Sequence, residues 1–370
     1  MRIKVLYVQL ATSSFAGIER VIHEICGEIE QRFNDKVDLE VLYTSDHGGA
    51  IKETVYKKHF RYQTSALSLM RNARKLVKEN NYDVIVVPQV EPTVLYWLGL
   101  LGLKKNIVVY LHGNPSKEMS HFKAKVLFFV LKHIALKHLA GVFGTSPKQL
   151  EKFNELFPSS VKRYWLPNPV RQFEEAEEPK RDRGDDLIVF VKVGRFTYQK
   201  GQNILVEAFA KVYAQRQDVR LKLVGYGDDE AALRAQVEEL GLNDVVWFEY
   251  HPNDPGAALQ SSDIYVSSAR WEGWSLAICE GLRFGLPVIA TNCDFGPSDI
   301  LIDDRLGCLV EMPWVENLTK EMLHYCENLE EQKPHANYRK EYIKRFDVSE
   351  VTKEHVAAIE DVFANACLKK

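Results

Sequence analysis

The chain has 370 residues, of which 46% are hydrophobic and 27% are charged, and its formal net charge is −3. This is the composition of a soluble globular protein, and the length exceeds what one hydrophobic core usually supports, so we expect two domains. The longest uncharged apolar run, at 94–103, has roughly ten residues, whereas a membrane-spanning helix needs ~20. These features exclude a membrane-spanning helix there.

The N-terminal segment and the cysteines predict a cytoplasmic location. Residues 1–12 lack the long apolar region and the small-residue cleavage site of a signal peptide, and they predict a first strand instead. The six cysteines form no Cys-x-x-Cys pair. We therefore expect small buried thiols in a reducing compartment, not zinc ligands or a disulfide framework.

Apolar strand-like runs alternate with helical segments in the first half of the chain. We predict strands at 3–10, 37–44, 82–89, 106–113 and 141–146, with a helix at 17–32 after the first strand. Strands that are apolar on both faces and separated by helices are typical of a parallel sheet covered on each side. Residues 1–168 are therefore predicted to form one α/β domain.

The alternation stops at 169–186, a charged, proline-bearing segment with the composition of a linker, and then resumes. A second α/β domain is predicted at 187–349. Its strands are expected at 187–195, 219–227, 244–250, 263–269, 287–291 and 307–311, and its helices at 201–216, 229–240 and 275–284. Ligands of such open sheets bind beyond the carboxyl ends of the strands, and two such edges can face one cleft.

The end of the chain, 335–366, predicts two helices broken near 346–349, with Ser349 as the N-cap of the last helix.

Charge is distributed unevenly between the two halves. Residues 1–170 contain 24 Lys and Arg against 15 Asp and Glu, a balance of +9, and residues 171–370 contain 24 against 36, a balance of −12. A basic first half and an acidic second half indicate different partners for each.

Two glutamates, Glu272 and Glu280, lie eight positions apart at the start of a predicted helix. Ser275 is placed to cap a helix that begins near Leu276, so that Glu272 lies at the carboxyl end of a strand and Glu280 one turn into the helix. The free N–H groups of the first helical turn form an anion site, and Gly273 allows a ligand to approach the backbone. Taken alone, such a pair is more often a loop residue and a solvated helix residue.

The segment from Glu272, EGWSLAICEGLRFGLPVIAT, resembles the Glu-x7-Glu motif of retaining GT-B-fold glycosyltransferases of family 4, with Trp274 and Ser275 in place of the usual aromatic and small residue. The resemblance extends over about residues 2–312. It implies that Glu272 contacts the transferred sugar, that Glu280 binds the ribose hydroxyls of a nucleotide, and that the backbone at Ser275 and Leu276 holds the diphosphate. Gly273 and Trp274 would belong to the same donor site.

Three other segments resemble the same family. VGRFTYQKG (193–201) would supply Arg195 and Lys200 to the donor diphosphate, although a lone Arg and Lys in a loop are usually solvated. The loop after the first strand retains Gly17 of a glycine pair, with Ala16 in place of the other glycine. His112, where a strand ends in VVYLHGNP, would approach the transferred sugar or the acceptor hydroxyl.

The resemblance implies a two-domain GT-B fold in which the C-terminal helix, 350–370, packs back on the first domain. It also implies transfer with retention and no metal, because Arg195, Lys200 and the helix amides would provide the electrostatic stabilisation. The segment 290–301, with Asp294, Gly296 and Pro297, resembles transferases that use UDP-sugars, and a GDP-sugar is the alternative donor.

Other classes remain open. A glycoside hydrolase also uses two carboxylates, but it needs no diphosphate clamp. A dinucleotide-dependent dehydrogenase would carry Gly-x-Gly-x-x-Gly after the first strand, and that pattern is missing here. A non-catalytic sugar-nucleotide-binding protein of the same fold is the remaining alternative, against which the intact Glu272, Glu280, Arg195 and Lys200 argue.

The basic first half suggests the acceptor. Residues 57–78 contain Lys and Arg but no acidic residue, and 119–139 interleave lysines with phenylalanines and leucines. Basic amphipathic helices of this kind bind anionic membranes, although most such helices are packed against a core. No nucleic-acid-binding module is recognisable. With the lipid-linked and lipopolysaccharide acceptors of the family, this predicts a lipid-linked or cell-surface glycan acceptor and a peripheral enzyme on the inner face of the cell membrane.

Overall fold

The computed structural model describes residues 2–12, 17–47, 54–119, 121–173, 187–251 and 254–368. The chain divides into two compact units, which we call unit 1 (Met1–Pro169 with Phe346–Lys370) and unit 2 (Val170–Arg345). Most of the predicted linker, 174–186, lies outside the described residues. No helix among the described residues is long and apolar enough to cross a membrane.

Unit 1 contains a seven-stranded sheet whose neighbouring strands are all parallel. Its strands are β1 (Ile3–Gln9), β2 (Val37–Tyr43), β3 (Lys57–Phe60), β4 (Val84–Pro88), β5 (Asn106–Leu111), β6 (Gly141–Gly144) and β7 (Arg163–Trp165). The order β3-β2-β1-β4-β5-β6-β7 reverses direction between β1 and β4. This reversal is the topological switch point of a doubly wound sheet.

The helices of unit 1 connect these strands. They are α1 (Gly17–Arg32), α2 (Ala66–Asn80), α3 (Val90–Gly99), α4 (Pro115–Glu118), α5 (Phe122–Val130) and α6 (Pro147–Leu156). After α5 the chain continues through a π-helical turn, Leu131–Ala135, and a 3₁₀ turn, Leu136–His138. The basic segments 57–78 and 119–139 are therefore not continuous helices, because the first begins as a strand and the second changes its helical pitch.

Unit 2 contains a six-stranded parallel sheet with the order β10-β9-β8-β11-β12-β13. Its strands are β8 (Ile188–Val193), β9 (Val219–Val224), β10 (Val246–Glu249), β11 (Ile264–Ser267), β12 (Val288–Thr291) and β13 (Gly307–Val310). The strand order reverses between β8 and β11. The two sheets confirm the predicted α/β class with two Rossmann-like domains.

Eight helices flank this sheet in the described part of unit 2. They are α7 (Gln202–Tyr213), α8 (Glu230–Glu239), α9 (Gly256–Gln260), α10 (Leu276–Arg283), α11 (Pro297–Ile300), α12 (Trp314–Glu327), α13 (Leu329–Gln332) and α14 (Ala336–Ile343). The core of unit 2 forms where α7 and α12 cover the sheet, with residues such as Phe209, Leu221 and Met322 fully buried.

The predicted break near 346–349 is confirmed, because α14 ends at Ile343 and the last helix, α15, spans Val348–Leu368. The predicted N-cap, Ser349, is wrong. The carbonyl of Asp347 accepts the first helical bonds, from the amides of Glu350 and Val351 at 3.0 Å each. Ser349 therefore lies inside the first turn, where its side chain cannot cap the helix.

Helix α15 belongs to unit 1 and brings a buried histidine into its core. The ring of His355 lies 3.3 Å from the hydroxyl of Tyr7 through Nδ1 and 3.3 Å from that of Tyr110 through Nε2. Burial lowers the pKa of His355 to about 3, so the imidazole is neutral. Because the Tyr110 hydroxyl also donates to the carbonyl of Leu166, it accepts from His355, and Tyr7 donates to the ring.

Replacing His355 with leucine should destabilise unit 1, because two buried tyrosine hydroxyls lose their ring partner. We expect a loss of about 1–3 kcal/mol in the free energy of unfolding, the cost of a buried polar group that loses its partner, because Tyr7 loses the ring nitrogen whereas Tyr110 keeps the carbonyl of Leu166. Urea denaturation of the variant measures it. Glu354→Ala, at an exposed position of the same helix, is the control. Equal stability of the two variants would contradict a structural role for the His355 bonds.

Candidate functional site

A buried ion pair lies at the switch point of unit 2. Glu272, only 4% exposed, follows β11, and its two carboxylate oxygens accept hydrogen bonds from the Nζ of Lys200 at 2.7 and 2.9 Å. Lys200 ends a short 3₁₀ turn that follows β8. Because β8 and β11 are neighbouring parallel strands, their carboxyl ends place the two loops side by side. A lone glutamate in a loop is usually solvated, but Glu272 is buried and ion-paired.

Several contacts join the two loops. The backbone amide of Arg270 donates to the carbonyl of Gln199 at 2.8 Å, and the side chain of Gln199 donates to the carbonyl of Trp271 at 3.0 Å. The guanidinium of Arg270 lies 3.9 Å from the centre of the Tyr198 ring, and its Nη1 donates to the carbonyl of Tyr198 at 2.6 Å. These bonds fix the Lys200 loop against the Glu272 loop.

Two glycines allow the close approach of these loops. Gly201 has φ 62°, and a Cβ there would lie 2.1 Å from the carbonyl oxygen of Ser268. Gly296 has φ 93°, and a Cβ there would lie 3.1 Å from Cβ of Glu272 and 3.3 Å from the carbonyl oxygen of Gly273. Any other side chain at these two positions would push apart the segments that hold the ion pair.

Helix α10 begins at Leu276, as the sequence predicts, with Ser275 at the N-cap. The Ser275 side chain makes no capping bond, and the first turn contains no acidic residue. The first amides of a helix have no partner inside the helix, so the start of α10 can bind an anion. Gly273, Trp274 and Ser275 are all buried directly before it.

Glu280 is buried within α10, with 3% exposure, and is paired with a cation that the sequence did not single out. The Nε of Arg171 donates to its Oε1 at 2.7 Å. Burial of a carboxylate is costly unless it is paired and hydrogen-bonded. Both glutamates of the motif are therefore buried, ion-paired carboxylates, and neither is an ordinary solvated residue.

Arg195 is exposed directly after β8. No hydrogen bond or ion pair of its guanidinium is found among the described residues. The loop that carries it packs against the glycines after β9, because a Cβ at Gly225 would lie 2.1 Å from the carbonyl oxygen of Gly194 and one at Gly227 would lie 2.3 Å from that of Phe196. Arg195 is therefore an available cation on the same sheet edge as Lys200.

A cavity of about 290 Å³ opens at the carboxyl ends of β9 and β10. It is lined by Gly225, Tyr226, Glu230, Arg234, Phe248, Glu249 and Tyr250. The rings of Tyr226 and Tyr250 meet edge to face, 5.3 Å apart, and the Arg234 guanidinium lies 4.2 Å from the centre of the Phe248 ring. This wall of aromatic rings suits a flat, partly polar group.

His112 lies in unit 1, directly after β5, as the sequence predicts. It is 8% exposed, both of its ring nitrogens lack a hydrogen-bond partner among the described residues, and its ring lies 4.0 Å from that of Tyr110. Burial lowers the pKa of His112 to about 3, against the opposing effect of Asn168. A neutral imidazole with unpaired nitrogens can exchange a hydrogen bond with a ligand hydroxyl.

Gly17 is the first residue of α1, and a Cβ there would meet no atom within 4 Å. No packing contact with a described residue therefore requires a glycine. Ala16, which replaces the other glycine of the pair, lies outside the described residues. Gly17 and His112 belong to unit 1, and the other predicted site residues belong to unit 2.

A buried lysine near the ion pair, Lys192, was not predicted from the sequence. It lies on β8, is 2% exposed, and interacts electrostatically with Lys200 and Glu272. Burial and the neighbouring charge of Lys200 lower its pKa to about 7, against the opposing effect of Glu272. The signal in the sequence was a charged residue inside an otherwise apolar strand, FVKV, which a fully buried strand does not normally contain.

Residues 173–345, nearly all of unit 2, match the family described as Glycosyl transferases group 1. Unit 2 is therefore similar to the group 1 glycosyltransferases, and the chain is a glycosyltransferase. The matched range includes Arg195, Lys200, Glu272 and Glu280.

Some relatives and solved structures are similar to this chain over unit 1 as well as unit 2. The chain is 25% identical over 331 residues to the O-antigen chain mannosyltransferase C of Escherichia coli, which covers 84% of each chain. It is 34% identical over 128 residues to a glycosyltransferase of Methanocaldococcus jannaschii, but that match spans only 35% of this chain and 32% of the relative. The structure of HepE from Anabaena, in complex with UDP and glucose, has a TM-score of 0.80, 17% identity, and coverage of 97% and 100%. This likeness confirms the GT-B fold.

Replacing Lys192 with methionine should change how stability depends on pH. Between about pH 7 and pH 10.5 the unfolded chain binds a proton at Lys192 that the folded chain does not, so the free energy of unfolding of the wild type rises with pH in this window. The rise is at most about 1.4 kcal/mol per pH unit. The variant should lose this rise and be the more stable protein near pH 7.

Urea denaturation at pH 7 and pH 9 measures the difference, with Lys320→Met, at an exposed lysine, as the control. Parallel pH dependence in the wild type and the Lys192→Met variant would show that Lys192 keeps an ordinary pKa in the folded protein.

Proposed function

We propose that this glycosyltransferase moves a hexose or N-acetylhexosamine from a UDP-sugar to a lipid-linked or cell-surface glycan, with retention of configuration and without a metal ion. The observation that carries the proposal is the buried pair of Glu272 and Lys200 at the switch point of unit 2, beside the open start of α10. At this edge, the start of α10 could bind an anionic part of a ligand while the carboxylate of Glu272 accepts hydrogen bonds from a polar part of the same ligand.

The diphosphate of the donor would bind the amides of Ser275 and Leu276 at the start of α10. An ammonium group has three donors, and Lys200 uses two of them on Glu272, so the third is available for a phosphate oxygen. Arg195, exposed on the same edge, would supply a second cation. Together these groups would stabilise the charge that develops on the leaving nucleotide, which is the task of a metal ion in other nucleotide-dependent enzymes.

Glu272 would accept hydrogen bonds from hydroxyl groups of the transferred sugar, because its carboxylate is held at the end of the strand by two hydrogen bonds from Lys200. Glu280, one turn into α10, would bind the ribose. The cavity beside Tyr226 and Tyr250 would hold the nucleobase, since its aromatic wall suits a flat ring and it adjoins the loop of Arg195.

His112 of unit 1 would donate to or accept from a hydroxyl of the sugar or of the acceptor, which agrees with its neutral, unpaired ring nitrogens. UDP as the nucleotide is supported by the resemblance of 290–301 and by HepE, which binds UDP and glucose. A glycan acceptor at the cell surface is supported by the O-antigen mannosyltransferase of Escherichia coli.

Replacing Glu272 with glutamine should strongly slow transfer while UDP binding survives, because the residue is proposed to bind the sugar and not the nucleotide. We expect kcat to fall on the order of 10²–10³, the cost of removing one preorganised charge contact in a transition state. Sugar transfer from UDP-sugars, measured with and without EDTA, and calorimetric binding of UDP test both parts.

Glu239→Gln, at an exposed position of α8, is the matched control. Near-normal turnover of the Glu272→Gln variant would refute the assignment of Glu272, and a strict requirement for Mn²⁺ or Mg²⁺ would refute the metal-free part. Tight binding of GDP in place of UDP would overturn the choice of nucleotide.

We also propose that α5 docks unit 1 on an anionic membrane surface. Phe122, Val126 and Phe129 are exposed on this helix, whereas Phe128 packs into the core. Lysines flank the exposed face, although Lys123 lies 3.8 Å from Glu91. An exposed apolar stripe bordered by lysines is the pattern of an interfacial helix.

The other basic segment is a weaker candidate for docking, because unit 1 uses several of its charges. Lys57 and His59 contact the buried Glu40 at 2.6 and 2.7 Å, and the Arg74 guanidinium donates to the carbonyls of Gly99 and Leu101.

Four lysines of the segment 119–139 test the membrane proposal. Each cation near an anionic leaflet contributes about 1 kcal/mol, so replacing all four with glutamine should release the protein from phosphatidylserine vesicles, while transfer to a water-soluble acceptor persists. Co-sedimentation at rising salt measures binding. The residues to be changed are Lys123, Lys125, Lys132 and Lys137.

The control variant removes the same charge from exposed positions of unit 2, at Lys320, Lys333, Lys340 and Lys344. Equal co-sedimentation of the wild type and the Lys123 set would refute docking through this segment.

A further inference from the structure

The segment that opens unit 2 lies along helix α10. The Phe173 ring packs edge to face against that of Phe284, 4.8 Å away, at the end of the helix. The guanidinium of Arg283 donates to the carbonyl of Val170 at 3.4 Å. Residues 170–173 are therefore held against the helix by contacts on both sides of Arg171.

Arg171 is the residue of this segment that reaches the Glu-x7-Glu motif. Its Nε donates to Oε1 of Glu280 at 2.7 Å, and the Arg171 side chain is 23% exposed whereas that of Glu280 is 3% exposed. A guanidinium remains charged at every physiological pH, so Arg171 is a permanent cation beside the buried carboxylate. A carboxylate accepts hydrogen bonds at about four sites, and the Nε of Arg171 contacts one of its two oxygens.

We propose that Arg171 is a positioning residue for the nucleotide donor, which holds the carboxylate of Glu280 oriented so that it accepts hydrogen bonds from the vicinal hydroxyls of the ribose. The inference rests on the proposed function, in which Glu280 binds the ribose. Arg171 itself touches Glu280 and not the ligand.

The chemistry of the pair favours this role over simple attachment of the segment. A vicinal diol supplies two O–H donors, and a fixed carboxylate that cannot donate is their natural partner. A rotated Glu280 side chain would lose one of these bonds. Phe173 and Arg283 already attach the segment to α10, so the charge of Arg171 is not needed for that purpose.

The test compares two ligands across variants of one residue. Calorimetry measures the dissociation constants of UDP and 2′,3′-dideoxy-UDP for the wild type, Arg171→Gln and Arg171→Lys. In the wild type we expect UDP to bind about tenfold or more tightly than the dideoxy compound, the usual cost of losing hydrogen bonds to a charged group. Arg171→Gln should lose most of this preference by weakening UDP binding alone, and Arg171→Lys should restore part of it.

Steady-state kinetics give a second readout, because loss of ribose binding should raise the donor KM more than it lowers kcat. Arg283→Gln is the matched control, since this arginine contacts the same segment through the carbonyl of Val170, and it should keep the preference for UDP. Equal weakening of both ligands by Arg171→Gln, or no weakening of either, would overturn the inference.

Glu280→Gln separates this failure from failure of the proposed function. If Glu280→Gln removes the preference for UDP and Arg171→Gln does not, only the role of Arg171 is wrong. If Glu280→Gln leaves the preference intact, Glu280 does not bind the ribose, and both the ribose assignment and the present inference are overturned.

Discussion

The arrangement of unit 2 depends on one electrostatic constraint, the burial of two carboxylates at one edge of a parallel sheet. An unpaired carboxylate in such surroundings would lose its charge, so Glu272 and Glu280 each need a cation. Lys200 comes from the loop after β8 and Arg171 from the opening segment of the unit. The glycines at 201 and 296 and the bonds of Arg270 follow from this constraint, because they bring the pairing loops within reach.

The two ion pairs differ in a way that suits two tasks. Lys200 contacts both oxygens of Glu272, and the buried Lys192, whose pKa burial lowers to about 7, interacts electrostatically with this pair. Arg171 donates its Nε to one oxygen of Glu280. In the proposed function, the first pair would lie beside the diphosphate of the donor and the second beside the ribose hydroxyls.

The sequence predicted most of the sheet strands because their short apolar runs alternate with helical segments along the chain. It missed β3 and β7, which are edge strands of three or four residues, KKHF and RYW, with exposed or half-exposed side chains. Ser349 had the chemistry of an N-cap, but the helix began two residues earlier than the pattern suggested. The candidate site was predicted from the resemblance of its motifs to a known family. Of its cations, Arg195 and Lys200 were predicted in this way, and Arg171 and Lys192 were missed. Arg171 lies in a segment with linker composition, and Lys192 lies in an apolar strand, so neither position carried a local signal of its partner across the fold.

Unit 1 is built from both ends of the described chain, and this has a consequence for biosynthesis. The ribosome completes β1 and β5 early, but it delivers α15 only after all of unit 2 has been made. Until then the hydroxyls of Tyr7 and Tyr110 lack the imidazole that joins them in the finished core. During synthesis, unit 1 therefore cannot complete its core until α15 has been made, whereas unit 2 is one continuous segment and can fold as soon as it has been made. Chaperone dependence during translation should accordingly fall on the first unit, although it is the first to leave the exit tunnel.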